Sequence, residues 1–167
     1  TSGLVGSEMC IRDRCEPIGH CMGEEDFMQR AIEIAERGRG KVQPNPLVGC
    51  VLVRDGKIIA EGWHGNIGGF HAEQAAIADA EERGIATIGS TAYVTLEPCN
   101  HHGRTPPCTE ALLWAGVERV VVGALDPNPT VRGGGLSALR DVGLHVENGL
   151  LEKECKDQMR EFIHWCE

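Results

Sequence analysis

Four residues of this chain have the types and spacing of a catalytic metal site: His71, Glu73, Cys99 and Cys108. Imidazole nitrogens and thiolates are ligands that zinc prefers, and a site with only three protein ligands keeps a fourth position open for water. The metal lowers the pKa of such a water towards neutrality, and a carboxylate beside it can then move the proton. The sequence therefore predicts an open zinc site in which Glu73 carries protons and is not a ligand.

The two cysteines lie further apart than in the commonest pattern of this kind. His-x-Glu followed by Pro-Cys-x-x-Cys is the signature of zinc deaminases. Here the first half is His71-Ala72-Glu73 and the second opens as Pro98-Cys99, but eight residues separate Cys99 from Cys108. The insert carries two adjacent histidines and Arg104, and these groups suit a phosphorylated substrate better than a bare nucleobase.

The run Thr95–Cys108 resembles the zinc motif of the RibD/RibG riboflavin-biosynthesis deaminases. Three flanking segments share the resemblance: Pro44–Gly49, Gly62–His64 and Asp126–Pro129. It extends over residues 24–165 and departs from the family pattern at two positions beside the pocket. Asn100 stands where Ser is usual, and Phe70 stands where Pro is common.

The resemblance implies a function: the zinc-dependent hydrolytic deamination of 2,5-diamino-6-(5-phosphoribosylamino)pyrimidin-4(3H)-one to 5-amino-6-(5-phosphoribosylamino)uracil and ammonia. It implies that His71, Cys99 and Cys108 hold Zn²⁺, that Glu73 shuttles protons and that Asn45 recognises the pyrimidine edge. The implied candidates for contacts with the ribose and phosphate are His64, His101, Arg104, Asp126 and Asn128.

Other functions stay open on the residues alone. A nucleoside, nucleotide or tRNA-base deaminase shares the chemistry, but it has the shorter Cys-x-x-Cys spacing. A net charge of −9 also disfavours a nucleic-acid partner, because phosphate backbones bind basic surfaces. A catalytically inactive, zinc-stabilised domain is the other alternative, and Glu73 disfavours it since a structural site has no use for that carboxylate. Gly133–Gly135 lacks the G-x-G-x-x-G spacing of a dinucleotide site.

The length of 167 residues suits one domain. We expect residues 1–22 to be a disordered extension or translated adaptor sequence, and residues 23–167 to form the deaminase domain, with no reductase domain. The extension contains four side chains of metal-ligand type: Cys10, Cys15, His20 and Cys21. A second metal site there is disfavoured, because their spacing matches no common zinc motif. A natural monofunctional form, a truncated bifunctional enzyme, a homo-oligomer and a separate reductase all stay open.

The expected partner is a small phosphorylated pyrimidine, with no membrane and no nucleic acid. The chain shows neither a long apolar span nor a secretory signal, and two of its eight cysteines are better used as zinc ligands than in disulfides. These features favour a cytoplasmic enzyme. Cys50 and Cys155 lie in apolar patterns and are expected in the core.

The elements that must position the site follow from periodicity and turn signals. Apolar residues recur with helical spacing from Glu24 to Ala35, and Asp55-Gly56 predicts a hairpin between residues 47–53 and 57–63. Further helices are expected at residues 71–83, 106–114, 136–144 and 151–162, and further strands at 91–96, 118–123 and 145–147. This order predicts an α/β fold, a three-layer α/β/α sandwich around a mixed, mostly parallel five-stranded sheet. The resemblance implies the same, cytidine-deaminase-like, fold.

Overall fold

A computed structural model describes residues 22–101 and 105–160 of the chain. Each of the predicted helices and strands is present. The helices are α1 Glu24–Ala35, α2 Ala72–Glu82, α3 Cys108–Trp114, α4 Gly134–Asp141 and α5 Glu152–Gln158, with a 3₁₀ turn at Glu36–Gly38. The strands are β1 Gly49–Arg54, β2 Lys57–Trp63, β3 Thr91–Leu96, β4 Arg119–Ala124 and β5 His145–Asn148. Among the described residues, no helix has the length and apolar character needed to cross a bilayer.

The five strands form one sheet in the order β2-β1-β3-β4-β5. β1 is antiparallel to both of its neighbours, whereas β3, β4 and β5 pair in parallel. Four strands therefore run in one direction and only β1 opposes them, which confirms the mixed, mostly parallel sheet. Leu96 is in register with Ala124, so the residues that follow β3 and β4 emerge side by side.

The hairpin between β1 and β2 closes through Asp55 and Gly56, both in the left-handed region with φ of 54° and 72°. Two consecutive residues with positive φ are the requirement of the tight turn that matches strand twist. As a result β2 ends at the same edge at which β1 begins and β3 and β4 end. His64, Asn45, Cys99 and Asp126 all lie just beyond these strand ends, so the sheet brings distant parts of the sequence to one edge.

Two helical layers cover the sheet, one on each face. Alternation along β1 separates them: Cys50 and Leu52 pack with α2, α3 and α4, whereas Val51 and Val53 pack with α1 and α5. Cys50 and Cys155 are fully buried, as predicted. The three-layer sandwich is thereby confirmed, while the last two residues of the helix predicted at 151–162 lie outside the described residues.

Gly62 of β2 fixes the height of α2 above the sheet. A Cβ at this position would overlap the backbone of Ala72 and Ala76, which lie in the first two turns of α2. Only glycine lets the backbones approach so closely. The first turn of α2, and with it His71 and Glu73, is therefore held directly against the strand.

Candidate active site

The three predicted metal ligands lie together. His71 Nδ1 is 3.3 Å from Cys108 Sγ and 3.6 Å from Cys99 Sγ, and the three donor atoms all lie within 4.8 Å of one another. Tetrahedral zinc with ordinary Zn–N and Zn–S bonds would separate its donors by about 3.5 to 3.8 Å. One borderline nitrogen and two soft sulfurs at this spacing fit zinc well. The alternative cluster in the N-terminal extension lies outside the described residues.

His71 is the residue immediately before α2, with extended backbone angles (φ −70°, ψ 164°). Its backbone N–H donates to Gln74 Oε1 at 3.1 Å, and Gln74 Nε2 donates to the carbonyl of Pro106 at 3.1 Å. The Gln74 amide therefore connects the start of α2 to the segment that leads into Cys108. This local bridge keeps the imidazole ligand at a fixed distance from the second thiolate.

The two thiolate ligands are joined through the start of α3. Cys108 is its first residue, and its backbone N–H donates to Cys99 Sγ at 3.3 Å. The Thr109 N–H donates to the carbonyl of Cys99 at 3.2 Å, and Thr109 Oγ1 donates to Asn100 Oδ1 at 2.9 Å. Backbone N–H groups directed at sulfur favour the thiolate, which is the form that binds zinc.

The side chains of Cys99 and Cys108 are coupled through a hydrogen bond. The Cys108 thiol donates to Cys99 and lowers the pKa of Cys99 to about 4, while His71 acts in the same direction. The same hydrogen bond raises the pKa of Cys108 well above its usual range, and burial adds to this. Because a tetrahedral site uses both thiolates, zinc binding must displace that proton.

Glu73 lies in the first turn of α2 and is 3% exposed. Burial disfavours its charged form and, together with the nearby Cys99 thiolate, raises the pKa of the carboxyl to about 7. A carboxyl with a pKa near neutrality can both accept and return a proton at physiological pH. The residue predicted as the acid/base therefore has the environment that this role needs.

A cavity of about 270 Å³ opens above these residues. A wider outer cavity of about 550 Å³ adjoins it on the side of Phe70 and Pro106, and a third of about 220 Å³ adjoins it on the side of Thr130 and Arg132. His101 and Cys99 line all three. The inner cavity has room for a heterocyclic ring, and the adjoining ones give space for a substituent.

The structure brings most of the predicted substrate contacts to the inner cavity. They are Asn45, His64, His101 and Asp126. Asn128 does not line these cavities: its Oδ1 accepts hydrogen bonds from the N–H and hydroxyl of Thr130 at 3.1 and 2.9 Å. It stabilises a turn, so the geometry gives its predicted substrate contact no support. Arg104 and His102 lie outside the described residues.

Sequence reasoning missed the role of Glu97. This carboxylate is 6% exposed and accepts hydrogen bonds from the backbone N–H groups of Asp126, Gly133 and Gly135, each at 3.0 Å. It lies at the end of β3, two residues before Cys99. Glu97 therefore attaches the loop that carries Asp126 to the strand that carries a metal ligand. The only signal in the sequence was an acidic residue next to Pro98-Cys99.

A close backbone contact beside Glu97 explains why residue 135 is a glycine. A Cβ on Gly135 would overlap the carbonyl oxygen of Pro98, so α4 begins in direct backbone contact with the zinc-ligand segment. The N–H groups at the start of a helix attract an anion. Here Glu97 already occupies that position, and this agrees with the absence of a dinucleotide fingerprint in the sequence.

Comparison with known proteins agrees with this geometry. The profile of the family described as "Cytidine and deoxycytidylate deaminase zinc-binding region" matches residues 8–124. The chain belongs to this family. Its cofactor is therefore zinc, and the donor set of His71, Cys99 and Cys108 is chemically suited to hold it.

Curated relatives refine this placement. The chain is 50% identical over 144 residues to the riboflavin biosynthesis protein RibD of Actinobacillus pleuropneumoniae, covering 86% of this chain and 38% of that protein. It is 47% identical to the diaminohydroxyphosphoribosylamino-pyrimidine deaminase of Buchnera aphidicola from Acyrthosiphon pisum, covering 85% of this chain and 95% of that protein. The resemblance to the RibD/RibG deaminases is thus confirmed. The chain spans little more than a third of the RibD relative's length.

Solved structures confirm the fold. The Thermotoga maritima deaminase/reductase superposes with a TM-score of 0.81 at 50% identity, covering 85% of this chain and 40% of that one. A dCMP deaminase of cyanophage S-TIM5 superposes with a TM-score of 0.61 at 24% identity, covering 76% of this chain and 98% of that one. The second likeness concerns the fold alone.

Proposed function

We propose that this chain catalyses the hydrolytic deamination of 2,5-diamino-6-(5-phosphoribosylamino)pyrimidin-4(3H)-one, producing 5-amino-6-(5-phosphoribosylamino)uracil and ammonia. The observation that carries the proposal is the buried Glu73 carboxyl, which shares one cavity with His71 and Cys99. The choice of substrate is supported by 47% identity to a Buchnera deaminase along nearly its whole length.

The proposed reaction uses three residues as metal ligands and a fourth, Glu73, for proton transfer. His71, Cys99 and Cys108 would hold zinc, which supplies an open coordination position and lowers the pKa of a water there. Glu73 takes a proton from the attacking water as its oxygen bonds to the amino-bearing ring carbon. Glu73 then returns that proton to the amino nitrogen, so the C–N bond breaks and ammonia leaves.

The burial of Glu73 counts against a purely structural zinc site. An ionised carboxylate that is 3% exposed is costly unless something compensates it. A zinc that only stabilised the fold would normally have a fourth protein ligand, and among the described residues the group of donor atoms within 4.8 Å of one another holds only His71, Cys99 and Cys108. A catalytic role gives the burial a purpose, since it brings the pKa of Glu73 to about 7.

The adjoining cavities support a substrate larger than a free base. We place the pyrimidine in the inner cavity against Glu73, with Asn45 at its edge, and the phosphoribosyl group towards His101 and Asp126. Arg104 is our candidate for the phosphate. The thiols of Cys99 and Cys108 must stay reduced to bind metal, so we also propose a cytoplasmic reaction. We further propose that the product passes to a reductase, an activity named for the Thermotoga maritima relative.

The experiment is a turnover assay on the zinc-loaded chain. We expect ammonia release from the phosphoribosylated diaminopyrimidine, with the uracil product identified by mass spectrometry. Cytidine and dCMP serve as comparison substrates, and we expect little ammonia from either. Efficient deamination of dCMP with no turnover of the diaminopyrimidine would contradict the proposed substrate. No turnover of any of the three, with zinc bound, would favour the inactive domain.

A further inference from the structure

The imidazole of His64 is buried at the wall of the inner cavity and both of its nitrogens are engaged within the protein. The residue follows β2 and is 5% exposed. Nδ1 lies 3.0 Å from the carbonyl oxygen of Phe70, and Nε2 lies 3.2 Å from Asn45 Nδ2. These contacts leave no ring nitrogen for a ribose or a phosphate.

The hydrogen-bond directions follow from the partner of Nδ1. A carbonyl oxygen can only accept, so Nδ1 carries the proton in its contact with Phe70. In the neutral ring Nε2 is then an acceptor, and the partner facing it must donate. Asn45 therefore presents Nδ2 to His64. Its Oδ1 must lie on the other side of the amide.

The backbone of His64 is fixed independently of its ring. Its N–H donates to the carbonyl of Val48 at 3.1 Å, which continues the pairing of β2 with the start of β1. On the other side, a Cβ on Gly38 would overlap the His64 carbonyl oxygen. The imidazole is thus held by elements of the fold, whereas the Asn45 side chain is exposed at the cavity. In the pair, His64 is the rigid member.

We propose that His64 is a positioning residue that sets the orientation of the Asn45 amide, so that Asn45 Oδ1 accepts a hydrogen bond from an N–H on the pyrimidine edge. This inference rests on the proposed function, because it concerns how that substrate is selected. Without the imidazole the amide can turn about its terminal torsion, exchanging oxygen for NH₂. A donor would then face a donor, and the ring would be bound less tightly. Among the described residues, none donates a hydrogen bond to Asn45 Oδ1, so this oxygen can accept one from the substrate.

A double-mutant cycle tests whether His64 acts through Asn45. We expect His64→Phe to lower kcat/KM by about tenfold, mainly through a higher KM, since one neutral hydrogen bond is lost from substrate binding. In an Asn45→Ala background the same change should have little further effect, because there is no amide left to orient. His145→Phe, at an exposed histidine of β5, is the matched control and should leave both constants unchanged.

Two outcomes of the cycle would overturn the proposal. Equal losses from His64→Phe with and without Asn45 would show that His64 acts directly. A loss confined to the phosphorylated substrate and absent from its dephosphorylated analogue would show that His64 contacts the phosphate. If the Asn45 amide binds the pyrimidine ring, His64→Phe must lower kcat/KM by the same factor for the phosphorylated substrate and for its dephosphorylated analogue.

A second measurement does not depend on turnover. Long-range ¹H–¹⁵N NMR of the zinc-loaded, ¹⁵N-histidine-labelled chain reports which nitrogen of each neutral imidazole carries the proton. We expect the His64 proton on Nδ1, and a proton on Nε2 would overturn the proposal even if His64→Phe fails to fold. If the wild-type chain releases no ammonia while His64 is protonated on Nδ1, the proposed substrate is wrong but the Asn45 orientation stands.

Discussion

The floor and the rim of the inner cavity are held in different ways. The floor consists of His71, Glu73, Cys99 and Cys108, which stand at the first turns of α2 and α3 and just beyond the end of β3. Among the described residues, the rim consists of residues 100–101 and 105–107 and of the loop at 126–133, which are held largely by single side chains such as Glu97. Backbone packing therefore fixes the groups that do the chemistry, whereas a few polar side chains fix the groups that select the substrate.

The largest effect should come from removing a ligand in the floor. Cys99→Ser and Cys108→Ser should each lose most of the bound zinc and all measurable turnover, because a hydroxyl is a poor zinc ligand beside a thiolate. Metal analysis of the purified variants is the measurement. Cys155→Ser changes a fully buried thiol on α5, and it controls for the loss of a core cysteine. If both ligand variants kept full zinc while changes at Cys10 and Cys15 removed it, the assigned site would be wrong.

The next largest effect should come from Glu73. Glu73→Gln preserves the shape of the side chain but cannot accept a proton, so we expect zinc to be retained and kcat to fall by about 10²- to 10⁴-fold. Parallel zinc analysis and ammonia assays measure this. Loss of the metal would instead identify Glu73 as a ligand. Near-normal ammonia release with zinc bound would remove it from the proton transfer.

Arg104→Ala, in the insert between the two cysteines, should weaken turnover of the phosphorylated substrate by about tenfold to a hundredfold, since a charge-assisted contact typically contributes about 1.5 to 3 kcal/mol. The dephosphorylated analogue should be nearly unaffected. Arg132→Ala is the comparator, because its guanidinium donates to the carbonyls of Asp126 and Pro127 in its own loop. Equal losses on both substrates would mean that Arg104 braces the insert and that the phosphate is bound elsewhere.

The smallest effect on turnover should come from Glu97, whose side chain connects the loop at 126–133 to the end of β3. Glu97→Gln places an NH₂ group against backbone N–H donors, so the loop at 126–133 should move and KM should rise by about tenfold while zinc stays bound. Glu118→Gln, at an exposed site just before β4, is the matched control for loss of one negative charge. A fall in zinc content comparable to that of the cysteine variants would show that Glu97 supports the floor instead.

Much of the floor could be predicted from local patterns. Zinc chemistry restricts ligands to a few side-chain types, so His71, Cys99 and Cys108 are recognisable from the sequence alone. The hairpin at Asp55-Gly56, the helix after His71 and the strand Thr91–Leu96 follow from turn chemistry and periodicity. These signals are strong because each depends on residues that are close in sequence.

The rim could not be predicted in the same way. Glu97 accepts hydrogen bonds from N–H groups up to 39 positions away in the sequence, and no periodicity relates them. Asn128 is a candidate substrate contact by resemblance alone, and its amide oxygen accepts hydrogen bonds from Thr130 within its own turn. The expected role of His64 also came from resemblance, whereas the ring nitrogens are already occupied. In each case the role of the side chain depends on its hydrogen-bond partner, and that partner is known only from the fold.

The metal and the order of the elements can therefore be predicted from the chain alone, as can a candidate acid/base, since each is encoded in side-chain chemistry or short-range pattern. The tertiary structure determines which polar groups remain free to meet a substrate. Hydrogen-bonding capacity is limited: a donor or acceptor already paired within the protein is not available to a ligand. That pairing depends on how the termini of β1, β2, β3 and β4 meet at one edge of the sheet.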